Sequence, residues 1–236
     1  MKNKSSNGHA GNGEAAVLEA KEIISNNSKN GANKNQKKES SQSSEITLPE
    51  MNLQQVQFTV KGIAPLIVNK FSEKAKAMML SKQMKEASKG KEAKDPKKQY
   101  EESLYKFPDG KRTGFPAVGF KAAMTRAGKL LGLPMTDTRG KFHVLADDDV
   151  CGLVEIKGKY KMRDDMVRLA TGVADVRFRA EYQVGWTAAV TILYNATWIS
   201  KEQLAQILNT AGFSCGIGEW RPEKSNSGSF GLFKVV

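Results

Sequence analysis

Apolar and polar positions alternate with a period of two in several stretches. Val56, Phe58 and Val60 alternate with Gln57, Thr59 and Lys61, the signature of a half-buried strand. Val154, Ile156, Tyr160 and Met162 alternate with Glu155, Lys157, Lys159 and Lys161, predicting a second strand over 152–162. Val176, Phe178, Ala180, Tyr182 and Val184 predict a third, with Arg177 and Arg179 on its opposite, solvent-facing side. Trp186 to Tyr194 reads as a fourth, and the reversal at Gly185 predicts a tight hairpin. Between the second and third strands, residues 163–172 read as a polar excursion bearing Arg163 and Arg168.

Two stretches have helical spacing. Phe120, Ala123, Met124, Ala127, Leu130 and Leu131 form one stripe of a helix that starts near Pro116 and ends at Gly132. Leu204, Ile207, Leu208 and Ala211 form another, behind a capping box at Ser200 and Gln203, with Gly212 as the residue that ends it. Residues 134–150 read as a loop. Its consecutive Asp147, Asp148 and Asp149 suit a turn or cap better than a metal, because neighbouring carboxylates diverge on an extended chain.

Residues 1–50 hold no aromatic residue, and their Asn, Ser, Gly, Lys and Glu cannot offset the entropy of ordering. They are expected to form a disordered arm, with one short helical island at 14–24. An ordered domain over 51–236 is expected to carry an insertion at 70–110. Within that insertion, residues 70–98 hold ten lysines and a net charge of +6. It begins as a helix with Ala75, Met78, Met79 and Met84 on one side, then loses its apolar face. Without it, the order is strand, helix, two strands, helix, strand. That is an α+β, ferredoxin-like or RRM-like β-α-β-β-α-β core with an extra hairpin, whose sheet keeps one face free for single-stranded nucleic acid.

Charge sharpens this picture. The chain's 236 residues carry a formal net charge of +12, and the arm contributes only +1 of it. A basic folded part points to an anionic partner. No apolar run is long enough to span a membrane, and the N-terminus lacks the apolar core of a signal peptide, so a cytoplasmic setting is expected. Cys151 and Cys215 make no motif and read as reduced thiols. With only His9 and His143, no metal site and no cofactor are expected.

The last residues concentrate the candidate chemistry. Gly216, Gly218, Gly228 and Gly231 punctuate a stretch that holds Trp220, Arg221 and Lys224 and closes with an apolar strand over 229–236. Glycines let backbone amides approach a ligand, and an aromatic ring beside cations suits a base and a phosphate. A glycine-rich loop in this place, after the Ser200-capped helix and before the last strand, resembles that of the RAMP superfamily of CRISPR systems, most of all its Cas7 branch. The small-residue start of the first helix, Phe115 to Lys121, with Arg126 beyond it, is similar too. Ala211-Gly-Phe and Gly218-Glu-Trp-Arg-Pro-Glu223 also resemble proteins of temperate bacteriophages, which would put the chain in a host cytoplasm.

The resemblance implies a non-catalytic protein that binds single-stranded RNA or DNA and assembles side by side as a homo-oligomer along it. Lys121, Arg126, Arg163, Arg168, Arg177, Arg179, Arg221 and Lys224 would meet phosphates, Trp220 a base, and the amides of Gly216 and Gly218 the backbone. Two other classes stay open: a phage assembly factor that binds protein, and a metal-independent endoribonuclease led by His143.

Overall fold

The computed structural model describes residues 50–85, 93–148, 150–168 and 172–236. The expected arm (save Glu50), the island at 14–24, Asp149 and parts of the 70–98 and 163–172 segments lie outside the described residues. No helix among the described residues is long and apolar enough to cross a membrane.

Four strands form an antiparallel sheet in the order β10-β1-β9-β5. They are β1 (Leu53–Gly62), β5 (Phe142–Leu145), β9 (Thr187–Asn195) and β10 (Phe233–Val235). Helix α3 (Ala117–Leu130) lies between β1 and β5 in the chain, and α5 (Lys201–Thr210) between β9 and β10. With β1 and β9 in the centre, this is the ferredoxin-like arrangement, and the fold is α+β. Val60, Phe142, Val190, Ile192 and Phe233 meet Phe120, Met124, Leu204 and Ile207 from the two helices in a buried core. Alternation along β1 and the 3.6-residue stripes on α3 and α5 dictate this packing.

Two smaller sheets flank the core. One has the order β2-β8-β7, from β2 (Leu66–Val68), β7 (Tyr160–Arg168) and β8 (Ala174–Tyr182). The other has the order β3-β4-β6, from β3 (Tyr105–Lys106), β4 (Thr113–Pro116) and β6 (Leu153–Glu155). Three further helices are α1 (Glu73–Gln83), α2 (Pro96–Ser103) and α4 (Met135–Lys141).

Several expectations are corrected. The second core strand is β5, inside the stretch read as a loop; its four residues are too few to show a period. The strand expected over 152–162 divides into β6 and β7, which belong to different sheets. Residues 163–168 of the expected polar excursion instead continue β7, which runs to Arg168. Gly185 makes no hairpin, since β8 and β9 lie in different sheets. The turn there passes the chain between sheets, and Trp186 is buried at the crossing with its indole donating to the Ala64 carbonyl at 3.0 Å. Leu130 and Leu131 lie beyond the buried part of the α3 stripe.

The capping box at Ser200 and Gln203 is present in both directions. The helix does not stop at Gly212, however. A π-helical turn, Ala211–Cys215, follows, and a Cβ on Gly212 would lie 2.0 Å from the Phe233 carbonyl oxygen. Glycine is there to admit β10. No residue of α1 is buried; Met78 and Met79 on it and Met84 just after it are exposed.

Candidate nucleic-acid interface

Helices cover one face of the four-stranded sheet. The strand register places the side chains of the other face. On β1 it presents Leu53, Gln55, Gln57, Thr59 and Lys61, all exposed. Their partners on β9 are Asn195, Leu193, Thr191, Ala189 and Thr187. His143 and Leu145 extend the face across β5, and Lys234 across β10. None of these residues carries a carboxylate. Leu53, Leu145 and Leu193 make one end apolar, and the other end is cationic.

At the cationic end, register puts Lys234 opposite Lys61, Lys61 opposite Thr187, and Thr187 opposite Lys157 through an isolated bridge. Three lysines therefore stand in one row across the sheet, all exposed and with no ion pair among the described residues. Directly opposite residues have Cβ atoms about 5 Å apart, and like charges at that spacing destabilise the pairing. A phosphate backbone laid along the row would remove that repulsion.

His143 is tied to the helix layer: Lys121 on α3 places Nζ 2.8 Å from its Nδ1, where the ammonium donates to a neutral imidazole. Burial, and then the Lys121 charge, lower the His143 pKa; burial also lowers that of Lys121.

A second concentration of charge lies on one face of the β7–β8 hairpin. Arg163 and Arg179 are register partners, again like charges face to face. Here a carboxylate resolves the conflict. Asp165 accepts from Arg163 Nε at 2.8 Å and from Arg179 Nη2 at 2.6 Å. Glu181 accepts from Arg163 Nη1 at 2.6 Å. The glycine-rich stretch covers the cluster. The Arg179 guanidinium lies 5.0 Å from the centre of the Trp220 ring, and that of Arg163 lies 4.9 Å from the centre of the Phe230 ring. Trp220 takes a left-handed backbone conformation (φ +51°), uncommon outside glycine, and its carbonyl accepts from the Phe230 amide.

Structure thus brings Arg163, Arg179 and Trp220 together. Arg179 is 1% exposed, which corrects its expected solvent-facing position; the end of β8 is covered on both sides. Val176 and Val184, expected on the buried side, are exposed instead. Arg126 and Arg221 meet on another carboxylate, Glu223, and Arg221 also donates to the Gly218 carbonyl at 2.8 Å. Arg168, Arg177 and Lys224 have no ion pair among the described residues.

The glycine stretch is held by its own backbone. The Gly216 amide donates to the Ala211 carbonyl and the Glu219 amide to that of Ile67. Gly218 has φ +79°, and a Cβ there would lie 2.4 Å from the Ile67 oxygen, so glycine lets the loop lie against β2. Asp147 and Asp148 accept backbone amides of Glu155, Val150 and Cys151 as turn caps. Among the described residues, no three His, Cys, Asp or Glu side chains gather as a metal site.

Sequence reasoning did not single out Lys61, Lys157 and Lys234. Each is a polar position of an alternating strand, and only the register aligns them.

No family model matches the chain, and no curated protein does. Among solved structures, it is similar to a chain of the cryo-EM structure of the Type III-B Cmr-beta complex bound to cognate target RNA, with a TM-score of 0.44 and 10% identity. The match covers 78% of this chain and 59% of that one, so the chain spans less than two thirds of that relative's length. It is also similar to Cmr6 from Pyrococcus furiosus, with a TM-score of 0.37 and 8% identity over 79% of this chain and all of that one. Overlaps this low leave the chemistry of the site to its own residues.

Proposed function

We propose that this protein binds single-stranded nucleic acid on the free face of its four-stranded sheet, without cleaving it. The observation that carries the reading is the row of Lys157, Lys61 and Lys234, none of which has an ion pair among the described residues. The lysines would neutralise consecutive phosphates. Gln55, Gln57, Thr59 and Thr191 offer hydrogen bonds to bases and sugars, and the leucine end offers apolar contact. Arg168 and Lys224 have no ion pair among the described residues and add to the field that draws a strand in. Arg163 and Arg179 act indirectly, by holding Trp220.

The test is fluorescence anisotropy with labelled single-stranded RNA, single-stranded DNA and duplex over a range of salt. Each phosphate contact on a single strand contributes about 0.7 to the slope of log affinity against log salt, so replacing the three lysines by alanine should reduce the slope by about 2. Affinity that stays flat between low and high salt sinks the reading. The RNA and DNA arms decide between the two strands. Defined cleavage of labelled RNA that disappears in His143→Ala would replace binding by an endoribonuclease activity.

Side-by-side assembly along the strand belongs to the same proposal. Electron micrographs with and without a long single strand test it, and unchanged single particles count against it. One observation favours the protein-binding reading: α1 buries no residue and exposes Met78, Met79 and Leu80, with Met84 exposed just after it. Met-rich exposed helices suit protein partners. A purified protein with an absorbance spectrum free of nucleic acid would favour that reading.

A further inference from the structure

A cleft of about 450 Å³ lies between the start of α1, α2 and the first half of β8. It exists because β2 is short: it pairs with β8 only from Ala180 to Tyr182, so β8 from Asp175 to Arg179 forms a wall with one open edge. The volume falls in the range of small-ligand pockets, roughly 300–1,000 Å³.

The lining has two characters. Lys70, Arg177 and Arg179 make part of it cationic, and α1 begins here behind its N-cap Ser72, which adds the positive end of a helix dipole. Arg179 forms the inner end of this wall, and Glu219 beside it also lines the cleft. Arg179 is 1% exposed and its Nη atoms face Asp165 and Glu219, yet its Nε has no partner. Lys70 and Arg177 have no ion pair among the described residues, whereas Lys94 already holds Asp175.

Elsewhere in the cleft, Asn69, Gln99 and Glu102 offer acceptors, two of them with amide donors as well. Phe71 also lines it and is 51% exposed, leaving a ring available for stacking. Cations, unoccupied acceptors and an open aromatic ring together match a ligand that has a phosphate, exocyclic amino groups and a flat face.

We propose that this cleft is a separate binding site for one phosphorylated nucleotide, either free or at the end of a strand. It shares no residue with the lysine row.

The test uses the full chain and isothermal titration with the four nucleoside 5′-monophosphates, the four nucleosides and inorganic phosphate. At least one monophosphate should bind with a stoichiometry of one, and its nucleoside and phosphate alone much more weakly. Arg177→Ala and Lys70→Ala, both at accessible positions, should each weaken that binding about tenfold or more, the loss of a charge-assisted hydrogen bond. Lys61→Ala should leave it unchanged. That contrast keeps failure of the cleft distinct from failure of the sheet face. Competition by a 5′-phosphorylated oligonucleotide but not its 5′-hydroxyl form would assign the site to strand ends; competition by neither would assign it to free nucleotides. No binding by any monophosphate at millimolar concentration, or binding indifferent to Arg177→Ala and Lys70→Ala, overturns the proposal.

Discussion

Asp165 holds two guanidiniums that the strand register sets against each other, and its own side chain is 5% exposed. Removing it leaves Arg179 buried beside Arg163 with only Glu219, 3.6 Å away, as a counter-charge. Asp165→Ala should therefore destabilise the fold by about 3–5 kcal/mol, the cost of breaking a buried pair. Chemical denaturation measures it, and a change below about 1 kcal/mol, as for exposed pairs, would show that Asp165 is not the bridge. Alternation along β8 revealed a strand, but read Arg179 as solvated. Nothing in the local sequence says that Gly218 and Trp220, some forty residues on, cover that side. His143 titrates with a definite sign. Burial and Lys121 lower its pKa, so the unfolded chain takes up the proton first. Stability should fall as pH drops through the ordinary histidine range near 6.5, and His143→Gln should remove that part of the slope. A pH–stability profile identical in the two proteins would contradict this.

At the level of elements, strong local signals were legible and weak ones were not. Ser200, Gln203 and the Leu204–Leu208 stripe announce α5 and its start, because cap and stripe are both local. Ser200→Ala should cost about 1 kcal/mol, as for other N-caps, and an unchanged midpoint of unfolding would deny the cap its role. By contrast, Phe142-His-Val-Leu145 sits between polar stretches and is too short to show a period, so β5 was hidden. The β7–β8 hairpin shows the opposite failure. Its alternation is clear, yet a period of two says nothing about which sheet a strand joins, and the chain leaves this sheet for the four-stranded one at the buried Trp186. That second sheet has its own signature at high pH. Burial pushes the Tyr182 hydroxyl up to about 12. In the unfolded chain a tyrosine ionises near 10, so stability should hold below about pH 10 and decline between about 10 and 12, by roughly 2–3 kcal/mol. Tyr182→Phe should remove most of that decline, and an unaltered alkaline limb would show that the hydroxyl is not buried in solution.

Across the whole molecule, charge is sorted by depth. Arg179 is internal and Arg163 half-buried, and with Asp165 and Glu181 they lie under the glycine stretch, whereas the lysines of the free sheet face have no ion pair among the described residues. The net charge of +12 announced an anionic partner, but not which surface would meet it. Residues 61, 157 and 234 are far apart in the chain and align only once β1, β9 and β10 are paired. This arrangement separates a binding face from a merely solvated one. Lys61→Glu would place a carboxylate directly opposite Lys234 and turn a repulsive cross-strand pair into an attractive one. The free protein should become more stable, by roughly 0.2–1 kcal/mol for an opposite-charge pair relative to neutral residues plus the relief of repulsion. The same substitution should weaken single-strand binding and flatten its salt dependence, because it removes one phosphate contact and repels the next phosphate. Stability and affinity would then move in opposite directions in one variant. A solvated face with no ligand would show the stability gain alone, and affinity equal to that of the unsubstituted protein at every salt concentration would refute the interface.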